Sequence, residues 1–265
     1  MTTTPPDGGW PRWRLIATLA TVGLAGVALL VGLALAIRPM LAVAPTAVTP
    51  PATVAAGQWH GDAFRDQIAA EPMLQVPASA ASTPQVSSDL APTLLIPRPN
   101  ALGPAGVPTG FPHTAAGAVA QLAAIEVRVV QAMSIPVAHQ VHDSWALPGG
   151  ATASGWAMTR NVQVFLTALG DQSTAVGNSV LVAATPTAGL VKGTDGPDWV
   201  LACVLLDVRA DAVTHAEIGY GHCERMAWHD RRWMIAPGSA PAAAPSVWPG
   251  SDLALKAGWR TWTSE

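Results

Sequence analysis

Charge is what this chain has least of. Charged residues make up 12% of it, about half the quarter or so usual for soluble domains. Two Lys, Lys192 and Lys256, stand against twelve Arg. Residues 1–38 carry three Arg against one Asp, a balance of +2, so the whole chain's −3 leaves −5 on residues 39–265. That acidic remainder lacks the cations that neutralise phosphates, so no direct nucleic-acid partner is expected. The patterns G-x-S-x-G, H-E-x-x-H and G-x-x-x-x-G-K-[ST] are also missing, which removes the commonest signatures of hydrolase, metalloprotease and nucleotide chemistry. The expectation is a protein that is not an enzyme and needs no cofactor or metal.

One stretch lacks charge altogether. Leu15–Ile37, LIATLATVGLAGVALLVGLALAI, is 23 residues without a charge, Pro, Asn or Gln, long enough as a helix to cross a bilayer core of roughly 30 Å. A helix satisfies its own backbone N–H and C=O groups in lipid. Arg12 and Arg14 precede it with Trp10 and Trp13, and Arg38 alone follows. The positive-inside rule therefore puts the N-terminus in the cytoplasm and everything after Ile37 outside. The rival reading is a cleaved signal peptide with Ala42-Val43-Ala44 as its site, but signal cores usually run about 7–15 residues. Ala28, Gly32 and Ala36 recur every fourth residue, as do Ala17, Thr21 and Ala25. Small residues at that spacing let two helices approach closely and form a homo-oligomer; an Ala-rich helix also produces such matches by chance.

The rest divides by composition. After a cytoplasmic arm (1–14) and the transmembrane helix (15–37), residues 38–109 read as a disordered Pro/Ala-rich stalk. Residues 39–109 hold twelve Pro and six charged residues, too little apolar surface to offset chain entropy. One interruption, WHGDAFRDQIAAE over Trp59–Glu71, puts Phe64 and Ile68 a helical turn apart. It reads as a short amphipathic helix for the membrane surface, a partner or the chain's own domain, although one so short is marginal in isolation.

Order is expected from Gly110, in an exported domain over 110–236. Thr114 is a good N-cap, and Ala118, Leu122, Ile125, Val129 and Met133 then form one apolar stripe. Pro136 ends that helix. Further helices are expected over Ala138–Trp145 and Thr152–Ala168, stopped by Gly170-Asp171. The pattern then turns to strands at Val180–Ala184, Trp199–Val208, Ala216–Trp228 and Trp233–Ala236, with His229-Asp230-Arg231-Arg232 as the last tight turn. Helices followed by a meander give an α+β plan, a curved antiparallel sheet with helices on one face. The tail, 237–265, ends in a short helix from Ser251, with Leu253, Leu255 and Trp259 covering a sheet edge.

These residues carry a resemblance. Helices, a long hairpin and the short Trp228…Trp233 hairpin resemble the nuclear-transport-factor-2-like (NTF2-like) cone. GFPHTAAGAVA (Gly110–Ala120) after a membrane span and Pro-rich stalk, with Trp248-Pro249-Gly250-Ser251 in the tail, is similar to membrane proteins of actinobacterial conjugative elements. Those resemble the bitopic scaffold component of type IV secretion machines. The resemblance implies a structural component of a conjugative DNA-transfer apparatus, anchored in the cell membrane and acting through other membrane proteins. One feature departs from it: Gly often occupies the last hairpin turn of such cones, and here the turn reads His-Asp-Arg-Arg. The alternative is an extracytoplasmic ligand-binding or sensor module with an NTF2-like pocket.

Few residues suggest chemistry. If Arg209 pairs with Glu217 across the hairpin, Cys203 falls opposite Cys223, close enough for a disulfide in an exported domain; two buried thiols are the other reading. His215, His222, Cys223 and His229 are spread along a strand and its turns, unlike compact zinc spacings, and His222 and Cys223 face opposite sides of a regular strand. His139 and His142 share a helical face near Asp143, and His113 sits beside a helix start; both read as structural. Tyr220 shares a strand face with His222 and Glu224, opposite Val204 and Leu206, either lining a polar pocket or packing with its hydroxyl satisfied at the rim. Most of the tryptophans belong to the core.

Overall fold

The computed structural model describes residues 60–169, 173–177, 179–211 and 215–265. The expected cytoplasmic arm (1–14), the expected transmembrane helix (15–37) with its Ala28/Gly32/Ala36 pattern, and residues 38–59 of the expected stalk lie outside the described residues. Among those described, one helix (Ala115–Ala132) is long and apolar enough to cross a membrane, and 61% of it is buried inside the fold.

The elements are α1 (Asp62–Ala70), β1 (Thr93–Ile96), β2 (Ala101–Leu102), β3 (Pro108–Thr109), α2 (Ala115–Ala132), α3 (Ile135–Trp145), α4 (Ala157–Ala168), β4 (Leu181–Thr194), β5 (Trp199–Asp211), β6 (His215–His229), β7 (Arg232–Ile235), α5 (Asp252–Lys256) and β8 (Arg260–Ser264). They make a mixed α+β fold around a curled, half-barrel sheet in the order β1-β8-β4-β5-β6-β7. All pairs in that sheet are antiparallel except β1 with β8.

The central strand explains the layering. Residues 199–206, WVLACVLL, are buried at every position, as expected for a strand covered on both faces. Val200, Ala202, Val204, Leu206 and Val208 join α2, α3 and α4 in the main core. Trp199, Leu201, Cys203 and Leu205 point the other way, into two smaller apolar clusters. The sheet therefore needs cover on its second face, and the chain supplies it from both ends.

That second cover is where the structure departs from expectation. Residues 60–109 are not a disordered stalk: they form a strap against the sheet. Ala69 of α1 packs with Trp199 and Leu201, and Ile68 with Ala227 and Ala236 lies around them. Burying a Leu-sized side chain contributes about 1.5–3 kcal/mol, which is how a helix too short to persist alone is held. Pro-rich composition misled because it reports low local propensity, whereas the burial comes from a sheet far away in sequence. The tail differs too. Its short helix is present as α5, capped by Ser251, but Arg260–Ser264 then adds a strand beside β4 that brings in β1 as its outer neighbour. Residues 245–249 cross β6, where a Cβ on Gly219 would lie 1.8 Å from the Val247 oxygen and one on Gly221 2.6 Å from the Pro245 oxygen.

The helices follow the local signals. Thr114 Oγ1 accepts from Gly117 N–H at the start of α2, and Ser134 accepts from Val137 N–H at the start of α3. Met133, with φ 37°, closes α2, and Pro136 lies in the first turn of α3, where its missing N–H costs nothing. Two irregularities in β4, at Thr187 and Lys192, break the register with β5, and such bulges bend and twist a strand. Each extra residue is put to use. Thr187 Oγ1 donates to the Leu205 oxygen at 2.9 Å, and Lys192 Nζ donates to the Ala69 and Glu71 oxygens at the C-terminal end of α1.

Candidate functional site

The inward face of β6 alternates Tyr220, His222, Glu224 and Met226, while Gly219, Gly221 and Cys223 face the strap and tail. Above that inward face lie Glu126 of α2 and the start of α4, with Trp156, Met158, Thr159 and Asn161. The result is a polar cluster inside an otherwise apolar core. Glu224 Oε1 accepts from Trp156 Nε1 at 2.8 Å and lies 3.1 Å from His222 Nε2. The Tyr220 hydroxyl accepts from Asn161 Nδ2 at 2.6 Å and donates toward Met158 Sδ at 3.4 Å. His222 stacks on Tyr220 with centroids 6.0 Å apart, and His142 tilts against Trp156.

Glu126 is the unusual member. It is 0% exposed, and among the described residues neither carboxyl oxygen has a hydrogen-bond partner; buried Thr159 Oγ1 is likewise unpartnered there. Burial, with the Glu224 charge nearby, pushes the Glu126 carboxyl well above the ordinary carboxylate range. Burial also raises Tyr220, reinforced by Glu126 and Glu224 and opposed by the Asn161 hydrogen bond. The interior thus holds a carboxyl whose burial favours its protonated form, a phenol that burial keeps protonated and a His–Glu pair. Such a set can donate hydrogen bonds to a small polar molecule or hold a proton, but it places no nucleophile beside a base.

The other residues singled out from the sequence separate cleanly. Cys203 lies opposite Cys223 in the β5–β6 register, and the sulfurs are bonded, with Cα atoms 4.0 Å apart. Arg209 pairs with Glu217 as that register requires. His113 pairs with Asp198 at 2.7 Å and stacks on Trp228 at 4.4 Å. His215 meets Asp211 at 2.6 Å and His229 meets Asp230 at 3.3 Å, both at the surface. His139 approaches Ser154 at 3.5 Å, and His142 lies 3.4 Å from Asp143. No group of three or more His, Cys, Asp or Glu among the described residues is placed to hold a metal ion. Trp145, Trp156, Trp199, Trp233 and Trp259 are buried.

Sequence reading brought Tyr220, His222 and Glu224 together but passed over Glu126. Its signal was present: Leu122, Glu126 and Val130 share one helical face, so a carboxyl stands where the stripe calls for an apolar side chain. Asp195 was also missed. Its side chain is fully buried and accepts from His60 N–H at 2.8 Å, Gly61 N–H at 3.3 Å and Arg65 Nε at 2.7 Å. Burial raises its carboxyl, but those donors outweigh it and leave the net shift downward. Asp66 is drawn down chiefly by its hydrogen bond from Arg225, 2.6 Å away. These two exchanged pairs clamp the strap to the sheet. A groove of about 390 Å³ lies on a different face of α2 from Glu126, between that helix, residues 96–111 and β8.

No family model matches the chain, and no curated protein or solved structure does.

Proposed function

We propose that this chain is a membrane-anchored scaffold whose folded region is an NTF2-like cone displayed outside the cell membrane. In this reading it holds other membrane proteins of a conjugative, type IV secretion-like DNA-transfer apparatus. The observation that carries it is the Cys203–Cys223 bond at the centre of the sheet, since such bonds persist in oxidising compartments outside the cytoplasm. The uncharged Leu15–Ile37 stretch supplies the anchor. The strap supports the same reading, because its first described residues, His60 and Gly61, are clamped with Arg65 to the β4–β5 turn through Asp195. A domain held to its tether by buried contacts is suited to holding position.

Crosslinking in native membranes followed by identification of the captured proteins tests this role. Recovery of membrane components of a transfer apparatus is the expected result; recovery of none of them removes the role and leaves the fold untouched. A ligand-binding or sensor module is the second reading, favoured by the unpartnered buried Glu126 beside Tyr220 and Glu224. Ligand-dependent thermal stabilisation that Glu126→Leu abolishes would support it.

A further inference from the structure

The groove beside α2 has an apolar floor and a cationic rim. Phe111, Ala124, Val127 and Trp262 line it together with Arg98 and Arg128, and no Asp or Glu does. In a chain with 17 acidic residues against 14 basic ones, that local excess is unusual. Both guanidinium groups are held by one edge: Arg128 Nε donates to the Ala105 oxygen at 2.9 Å, and Arg98 Nε donates to the Glu265 main-chain oxygen. Their terminal NH₂ groups make no other hydrogen bond or ion pair among the described residues. A guanidinium fixed at Nε presents those groups in a fork that matches a carboxylate.

From this arrangement we infer that the groove is a docking site for a peptide segment of a partner protein, one that carries a bulky apolar side chain next to a carboxylate. The inference rests on the scaffold reading and names the chemistry of the partner. About 390 Å³ is near the lower end of ligand-site sizes, roughly 300–1,000 Å³. It accommodates one or two large side chains and is too small for the paired acyl chains of a phospholipid. An aromatic anchor in a pocket beside Arg is also the usual composition of an interface hot spot.

The test uses the full chain in phosphatidylcholine nanodiscs. Fluorescein-labelled peptides of alternating Phe, Leu and Glu, and the same peptides with Lys for Glu, are titrated by fluorescence anisotropy. The acidic peptide should bind about tenfold tighter than the basic one, as one charge-assisted pair supplies. Arg98→Gln and Arg128→Gln should each erase most of that preference. Ala124→Trp, which fills the groove, should abolish binding with the far-ultraviolet spectrum and the disulfide unchanged. Equal binding of the two peptides, no binding of the acidic one at millimolar concentration, or indifference to all three substitutions would overturn the inference. So would recruitment only to discs containing phosphatidylglycerol, or blockade of the groove by a second copy of the chain. Transfer-apparatus crosslinks that survive the Arg98→Gln/Arg128→Gln pair would defeat the groove and leave the scaffold role standing.

Discussion

Replacing Glu126 by Gln should change how stability depends on pH more than it changes the fold. Glu126 is 0% exposed, has no hydrogen-bond partner and feels the Glu224 charge. Its folded-state carboxyl is raised well above 4.5, whereas the unfolded chain titrates it near that ordinary value. Between the two, the native state binds the extra proton, so stability falls as pH rises. Each pH unit in that window should cost the wild type about 1.4 kcal/mol relative to the neutral amide. Below the window both side chains are uncharged and the two proteins should converge. Urea denaturation followed by tryptophan fluorescence at pH 5, 6, 7 and 8 measures the difference directly. The gap should widen in favour of Glu126→Gln and level off once the folded-state carboxyl ionises. Parallel curves, or a gap that narrows with rising pH, would mean that Glu126 is solvated or paired and that the interior cluster has been misread.

Three other perturbations probe the second face of the sheet and its last turn. Asp195→Asn should release the strap at a cost of about 1.5–3 kcal/mol, the worth of a hydrogen bond to a charged group, seen as faster limited proteolysis within residues 60–71. In the wild type this clamp contributes fully above the ordinary carboxylate value of 3.8 and is lost as pH falls through the lowered folded value. Gly219→Ala would place a Cβ 1.8 Å from the Val247 oxygen; it should destabilise by about 1–3 kcal/mol and open the segment after Ile235 to protease. Asp230 and Arg231 both sit at positive φ, 47° and 61°, a conformation costing a non-glycine residue roughly 1–2 kcal/mol, so Arg231→Gly should raise the urea midpoint by about 1 kcal/mol equivalent.

The parts of the fold legible in the sequence were those whose signal is local. Thr114 with its apolar stripe announced α2, and the β-rich run Trp199–Val208 announced β5; that this strand is covered on both faces was not read from it. The β5–β6 register followed from one pairing, Arg209 with Glu217, which carries Cys203 opposite Cys223. What was not legible depended on distant partners. Pro-rich residues 60–109 look unable to fold because their apolar partners are distant in sequence: Trp199 and Leu201 for Ile68 and Ala69, and the main core for Ile96 and Val107. The strand Arg260–Ser264 has little pattern of its own and exists because β4 and β1 flank it. Gly219 and Gly221 read as weak strand formers until Val247 and Pro245 are seen crossing them. For the site, period-2 alternation grouped Tyr220, His222 and Glu224. Glu126 came from another element, and only the packing of α2 on the sheet brings it to them.

The proposed scaffold role requires the folded region to reside in an oxidising space beyond the membrane. Intact cells quenched in acid and alkylated before lysis should yield, on digestion, a single peptide pair joined through Cys203 and Cys223, with neither thiol alkylated until reductant is added. Both cysteines recovered as alkylated, unpaired thiols would contradict it.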